Sequence, residues 1–106
     1  MKMTDLFIEE RHLEEIRNII NRLYPNAVVW AYGSRVDGTA HENSDLDLAV
    51  VDFGQPNGST TALQVASRES NVPFPVDWLD YKALPDKFQE EIAKKYVVVY
   101  EEESLN

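Results

Sequence analysis

Two aspartates stand two positions apart near the middle of the chain. Asp45 and Asp47 open a largely apolar segment, residues 45–53, that is predicted to form a β-strand. Because side chains alternate along a strand, both carboxylates project from one face, while Leu46 and Leu48 project from the other. Two unpaired carboxylates so close together repel each other unless a cation lies between them. The pair therefore predicts a site for a hard divalent ion, Mg²⁺ or Mn²⁺, completed by substrate phosphates.

A small-residue bend precedes this pair. The β-branched and aromatic run Ala27–Tyr32 is predicted to be a strand that ends at Gly33. Since glycine has no Cβ, a phosphate can approach the backbone there, and free N–H groups and the Ser34 hydroxyl can donate to it. Arg35 is expected to add a charge-assisted contact. If the two strands are neighbours, this bend and the aspartates meet at adjoining strand ends.

A third carboxylate interrupts the next predicted strand, Val76–Leu79. If Asp77 shares the face of Asp45 and Asp47, three carboxylates can hold two divalent ions, one activating an attacking hydroxyl and both clamping the reacting phosphate. The plainer alternative is a carboxylate on an edge strand, paired with a nearby lysine.

The elements that must position these residues alternate along the chain. Apolar residues at three- and four-residue spacings predict helices over 9–24, from Ser59 or Thr60 to about Glu69, and over 84–96, and a last strand is predicted at Val97–Tyr100. Residues 35–44 are predicted as a helical turn and a loop, and residues from Glu101 as a solvated acidic tail. This order predicts an α/β fold, a mixed sheet of about four strands with helices packed on it, in a single domain over 1–106.

Composition excludes several classes of function. The net charge of −9 opposes binding of a long nucleic acid, whereas nucleoside triphosphates arriving with divalent cations remain compatible. The chain has no cysteine, so disulfides and thiolate chemistry are excluded, and the first residues show neither a secretory signal nor a membrane span. A cytoplasmic location is the default expectation. His12 and His41 have no partner at ligand spacing, so zinc is not expected.

The set Gly33-Ser34-Arg35, Gly38 and Ser44-Asp45-Leu46-Asp47-Leu48, with Asp77 on a later strand, resembles the minimal nucleotidyltransferase family of the polymerase-β superfamily. The resemblance covers nearly the whole chain, and the fold it implies is the polymerase-β-type core. It implies that Asp45, Asp47 and Asp77 are the catalytic and metal-binding residues. Gly33, Ser34, Arg35 and Ser44 are assigned to the nucleotide.

The reaction implied by the resemblance is transfer of AMP from ATP to a hydroxyl with release of pyrophosphate. Several family members of this length pair with a separate helical HEPN-type protein, the toxin of a toxin–antitoxin pair. In that branch the acceptor is a tyrosine of the toxin, and the nucleotidyltransferase is the antitoxin. The chain lacks the extra helical domain of larger superfamily members, so a partner is expected to complete its cleft.

Two other functions remain open at this point. The chain is alternatively a nucleotide-binding, non-catalytic module that masks its partner, or one subunit of a two-chain transferase for a small molecule. The choice of base, the acceptor and the oligomeric state are not disclosed by the sequence. Trp30 and Trp78 are expected to be core aromatics of adjacent strands, and Asp52, Asp80 and Asp86 to be surface or helix-cap residues.

Overall fold

The computed structural model describes residues 6–41 and 43–101. Within these ranges, four α-helices and four strands follow the order α1, β1, α2, β2, α3, β3, α4, β4. A 3-10 helix, Tyr81–Ala83, lies between β3 and α4. The bounds are α1 Glu10–Leu23, β1 Val28–Tyr32, α2 Ser34–Asp37, β2 Leu46–Asp52, α3 Thr60–Arg68, β3 Val76–Asp80, α4 Asp86–Lys94 and β4 Val97–Tyr100.

The four strands form one mixed sheet in the order β3-β2-β1-β4. β1 pairs antiparallel with both β2 and β4, whereas β2 and β3 run parallel. The two parallel strands are joined through α3, as a parallel connection requires a crossover. The predicted fold class, a four-stranded mixed sheet with helices, is confirmed. The first two strands are neighbours, which is the condition for the Gly33 bend and the aspartates to meet.

One face of the sheet, here called the core face, carries the hydrophobic core. Leu48 on β2 lies opposite Ala31 on β1, and both are fully buried. Helices α1 and α3 cover this face, because their apolar stripes enter the same cluster of buried side chains. The helical members of that cluster are Leu13, Ile16, Ile19, Ile20 and Leu63.

The opposite face, here called the aspartate face, is lined by side chains that alternate with those of the core. Trp30 and Tyr32 on β1 lie opposite Ala49 and Asp47 on β2. The Trp30 ring stacks on Tyr96 with centroids 3.8 Å apart. Trp78 is a core residue as predicted, but the prediction for Trp30 is wrong. Trp30 lies outside the core cluster, and β2 separates its strand from that of Trp78.

The last helix is shorter than its apolar spacing predicts. Leu84 precedes α4 and Tyr96 follows it, because the 3-10 helix and Pro85 delay its start and Lys95 is already extended. α4 lies over the aspartate face, where Phe88 meets the Tyr32 ring edge-on at 6.2 Å. By contrast, α3 begins as predicted, with the Ser59 side chain accepting from the N–H of Thr61.

In the described ranges, no helix is both long and apolar enough to cross a membrane. The amino-terminal residues 1–5, on which part of the expectation about targeting depends, lie outside the described residues. The same holds for residues 102–106, which include most of the predicted acidic tail.

Candidate active site

The register of the parallel strands places two of the three predicted aspartates side by side. Asp47 on β2 is directly opposite Asp77 on β3. Equivalent residues in paired strands project from the same face, so both carboxylates belong to the aspartate face. Their flanking residues Leu46, Leu48 and Trp78 are buried on the core face. Residues that are 30 positions apart in sequence thus meet at one end of the sheet.

Asp45 lies just before β2, at the exposed entrance to the strand. Its negative charge acts on two neighbours: it contributes to raising the pKa of Asp47, and it opposes the lowering of the Arg35 pKa by burial. Asp45 is therefore within electrostatic range of Asp47, although it is more exposed.

Gly33 forms the bend that lies against the Asp47 carboxylate. Its backbone has φ +84°, a conformation that side-chain-bearing residues rarely adopt. A Cβ at this position would lie 2.5 Å from Oδ2 of Asp47, which is too close for any carbon. The positive φ favours glycine at this position, and a Cβ would in addition force the Asp47 carboxylate to move. The bend and the carboxylate are in direct contact, as expected from adjoining strand ends.

The electrostatics of Asp47 are unfavourable for its charged form. Burial, followed by the negative charges of Asp77 and Asp45, raises the pKa of Asp47 from 3.8 to about 6. A carboxylate crowded by like charges is a group that a divalent cation would stabilise. The raised pKa of Asp47 therefore fits the expected metal chemistry.

Tyr32 is a site residue that the sequence reasoning did not single out. It ends β1 opposite Asp47, and burial together with the charges of Asp47 and Asp77 raises its pKa. The phenol is therefore neutral at physiological pH and able to donate a hydrogen bond. The signal in the sequence was its position directly before Gly33, at the end of a predicted strand.

The two serines assigned to the nucleotide lie on different elements. Ser34 opens the short helix α2 directly after Gly33, where the first N–H groups of a helix have no acceptor within it. Ser44 closes a turn instead: its Oγ accepts from the N–H of His41 at 3.0 Å, and its own N–H donates to the His41 carbonyl. Ser34 is thus next to the bend, whereas Ser44 shapes the loop that leads to Asp45.

Arg35 does not occupy the position expected of a phosphate ligand. Only 2% of its surface is exposed, and its guanidinium packs 4.0 Å from the centre of the Phe74 ring. Nε and Nη2 donate to the Ser44 carbonyl at 3.0 and 2.8 Å, and Nη1 donates to the Phe7 carbonyl at 2.6 Å. The charge points inward because it satisfies backbone carbonyls of two loops. Arg35 therefore holds the residue before Asp45 in place.

The described part of the chain contains no group of three or more acidic or histidine side chains gathered closely enough to hold a metal ion. The three-carboxylate site for two ions therefore stays a prediction. What the structure does place together is the pair Asp47 and Asp77, beside the Gly33 bend and with Asp45 nearby. Magnesium usually takes one or two carboxylates and completes its shell with phosphates and water, so this arrangement fits it.

The plainer alternative for Asp77 is met in part, because β3 is an edge strand and Asp77 is exposed on it. Among the described residues, no lysine or arginine forms an ion pair with its carboxylate. Asp52 differs, since at the far end of β2 it lies 4.0 Å from Nζ of Lys82. Asp52 is exposed, as expected for a surface residue.

A bend at a strand end next to acidic residues on two strands fits a transferase of the nucleotidyl or phosphoryl class. Comparison with known families agrees with that class. The family described as "Polymerase beta, Nucleotidyltransferase" matches residues 14–105, and the chain belongs to this family. It is a nucleotidyltransferase, and the resemblance inferred from the sequence is confirmed.

Known proteins similar to this chain include a probable protein adenylyltransferase and a solved toxin–antitoxin structure. The "Probable protein adenylyltransferase MntA" of Haemophilus influenzae is 40% identical over 103 residues, covering 92% of this chain and 87% of that protein. A solved structure, "Crystal structure of the toxin-antitoxin with AMP-PNP", superposes with a TM-score of 0.67 at 20% identity. That match covers 86% of this chain and 74% of the solved one, and it shows a shared fold.

Proposed function

We propose that the protein transfers AMP from ATP to a hydroxyl group, in a magnesium-dependent reaction, and that the acceptor is a tyrosine of a helical HEPN-type toxin. The chain would then act as the antitoxin. The observation that carries this proposal is the side-by-side placement of Asp47 and Asp77 against the Gly33 bend. The 40% identity with a probable protein adenylyltransferase supports a protein as the acceptor.

Each group of the site has a role in this reaction. Asp45 and Asp47 would hold Mg²⁺, with Asp77 as a further ligand or as the base. When bound, the ion neutralises charge on the phosphates and lowers the barrier to attack. The bend at Gly33 lets the phosphate chain approach the backbone, and Ser34 donates to it.

The bond changes follow from these positions. The acceptor oxygen forms a bond to the α-phosphorus of ATP, and the bond from that phosphorus to the bridging oxygen of the β-phosphate breaks. Pyrophosphate leaves, and the hydroxyl proton passes to the carboxylate of Asp77. Asp77 is suited to this because it is exposed and lies beside Asp47, so an incoming hydroxyl can reach it.

The test is mass spectrometry of the chain incubated with ATP, Mg²⁺ and the protein encoded next to it. The expected result is a gain of AMP on a tyrosine of the neighbouring protein, abolished by Asp45→Ala and by Asp47→Ala. The matched control is Asp52→Ala, which removes an exposed carboxylate from the far end of the same strand. Absence of AMP on a properly paired neighbour would contradict the proposal.

A neutralisation assay separates this function from simple masking. If the chain acts by transferring AMP, Asp47→Ala should fail to neutralise the toxin even in stoichiometric amounts. Neutralisation that survives this substitution would instead support a binding module. Pyrophosphate release that depends on a small hydroxyl compound, and not on a protein, would support a two-chain small-molecule transferase.

A further inference from the structure

The outer edge of β3 forms hydrogen bonds with a side chain instead of with another strand. β3 is an edge strand, so only one side of its backbone meets the sheet. The N–H of Leu46 on β2 donates to the Pro75 carbonyl at 2.9 Å. Since backbone groups alternate in direction along a strand, the N–H and C=O groups of Asp77 also point towards β2. The polar backbone groups of Val76 and Trp78 therefore point away from the sheet.

Gln64 of α3 occupies that edge. Its Nε2 donates to the Val76 carbonyl at 2.6 Å, and its Oε1 accepts from the backbone N–H of Trp78 at 3.4 Å. One carboxamide thus contacts the residue before Asp77 and the residue after it. A peptide group of a further strand would present the same donor and acceptor to β3.

A second contact anchors the same helix to the same strand. The indole Nε1 of Trp78 donates to Oγ of Ser67 at 3.1 Å, and that hydroxyl donates to the Gln64 carbonyl at 3.1 Å. Both Ser67 and Trp78 are buried. The Ser67 contact attaches the Trp78 side chain to α3, while the Gln64 carboxamide attaches the backbone on either side of Asp77.

The carboxylate of Asp77 has no comparable support of its own. In the ranges that the structure describes, no ion pair or side-chain hydrogen bond holds it, and the residue is exposed. Asp47 differs, because its strand is flanked on both sides by other strands. The position of Asp77 opposite Asp47 thus depends on how firmly the β3 backbone is held.

We propose that Gln64 is a positioning residue for Asp77: its carboxamide holds the β3 backbone on both sides of Asp77, so that the carboxylate stays aligned with Asp47. The inference rests on the proposed AMP transfer, in which Asp77 receives the hydroxyl proton. Loss of the carboxamide lets the edge strand shift and increases the separation of the two carboxylates. Displacements of about 1 Å in a reacting group are enough to reduce turnover by up to about 100-fold.

The experiment compares two glutamine variants in steady-state AMP transfer to the partner protein. Gln64→Leu keeps the side-chain size and removes both hydrogen bonds, and it is expected to lower kcat about 10- to 100-fold with KM for ATP within about twofold of the wild type. Gln89→Leu is the matched control, since the Gln89 carboxamide also donates to a backbone carbonyl, that of Leu84, away from Asp77. It is expected to keep the kcat of the wild type.

Ser67→Ala separates positioning from general loss of stability. It removes the acceptor of the Trp78 indole and should lower the melting temperature by at least as much as Gln64→Leu, while retaining most of kcat. Equal kcat in Gln64→Leu and Gln89→Leu would overturn the inference and leave the proposed function standing.

If the wild type transfers no AMP, the proposed function fails, and hydrogen exchange of the Asp77 amide still decides whether Gln64 holds the strand. Exchange at least about tenfold faster in Gln64→Leu than in Ser67→Ala is the expected result. Equal exchange rates in the two variants would overturn the inference.

Discussion

Adjacent residues on β2 belong to faces with opposite properties. Leu48 is fully buried on the core face, among the side chains of α1 and α3, and contributes to stability by excluding water. Asp47 projects from the other face, where burial, followed by the charges of Asp77 and Asp45, makes its charged form unfavourable. The core face contributes to stability, whereas the aspartate face holds a half-buried charge that is relieved by a proton or by a bound cation. Substitutions on the two faces should therefore have opposite effects on stability and activity.

The largest effect is expected for the paired aspartates. Asp47→Asn and Asp77→Asn each preserve the shape of the side chain but remove a charge that the proposed metal binding and proton transfer need. Each should lower kcat/KM for AMP transfer by about 10³-fold, or about 4 kcal/mol. The measurement is steady-state transfer to the partner protein. A variant retaining a tenth of wild-type activity would contradict the assignment of that aspartate.

The next largest effect is a loss of stability, and it is expected for a substitution on the core face. Leu48→Ala should destabilise the fold by about 2–5 kcal/mol, because it removes a fully buried side chain and leaves a cavity. Urea denaturation followed by tryptophan fluorescence measures it. The neighbouring Asp47→Asn should instead be as stable as the wild type or more so. Similar destabilisation by both variants would contradict the contrast between the faces.

Gly33→Ala tests the contact between the bend and Asp47. The new Cβ must displace the Asp47 carboxylate, and the alanine must adopt a positive φ. Both activity and stability should therefore fall. Gly38→Ala is the matched control, because Gly38 has φ +90° but a Cβ there meets nothing within 4 Å. Gly38→Ala should lower the free energy of unfolding only by the backbone strain, about 1–2 kcal/mol, and leave turnover close to that of the wild type. Equal loss of turnover in both variants would show that the contact is unimportant.

The smallest effect is a pH dependence of stability. Since the pKa of Asp47 is raised from 3.8 to about 6, the folded state binds this proton more tightly than the unfolded state. The favourable contribution of the protonated form is complete below pH 3.8 and is lost as the pH rises through about 6. After allowance for solvent screening, the difference amounts to about 1 kcal/mol.

The check is the difference in unfolding free energy between the wild type and Asp47→Asn, measured from pH 4 to pH 8 without and then with Mg²⁺ and ATP. Asp47→Asn should gain relative stability as the pH rises, and the ligand should reduce that gain. A difference that does not change with pH would contradict the raised pKa.

The sequence predicted the core face better than the aspartate face. The apolar stripe of α1 and the alternation at the start of β2 depend on local periodicity, which the amino-acid types display directly. The family motifs also predicted that the Gly33 bend and Asp47 lie together, and the structure places them in contact. Gly33 and Asp47 could be assigned there because a bend and a strand entrance are local features.

The parts that could not be predicted depend on contacts distant in sequence. Nothing local shows that Arg35 turns inward to the Ser44 and Phe7 carbonyls, so an arginine next to a phosphate bend was expected to face the ligand. Trp30 is a residue type common in cores, yet the alternation of side chains along β1 places it with Tyr96 on the aspartate face. The contact of Gln64 with β3 follows from the packing of α3, for which a polar helix residue gives no signal.

Calorimetric titration of the chain with MgATP tests the central claim most directly, namely that Asp47 and Asp77 together form a metal–nucleotide site beside the Gly33 bend. The expected result is saturable binding of ATP that requires Mg²⁺ or Mn²⁺, is lost in Asp47→Asn and is retained in Asp52→Asn. If ATP binds equally well without a divalent ion, or if Asp47→Asn binds MgATP like the wild type, the claim is contradicted.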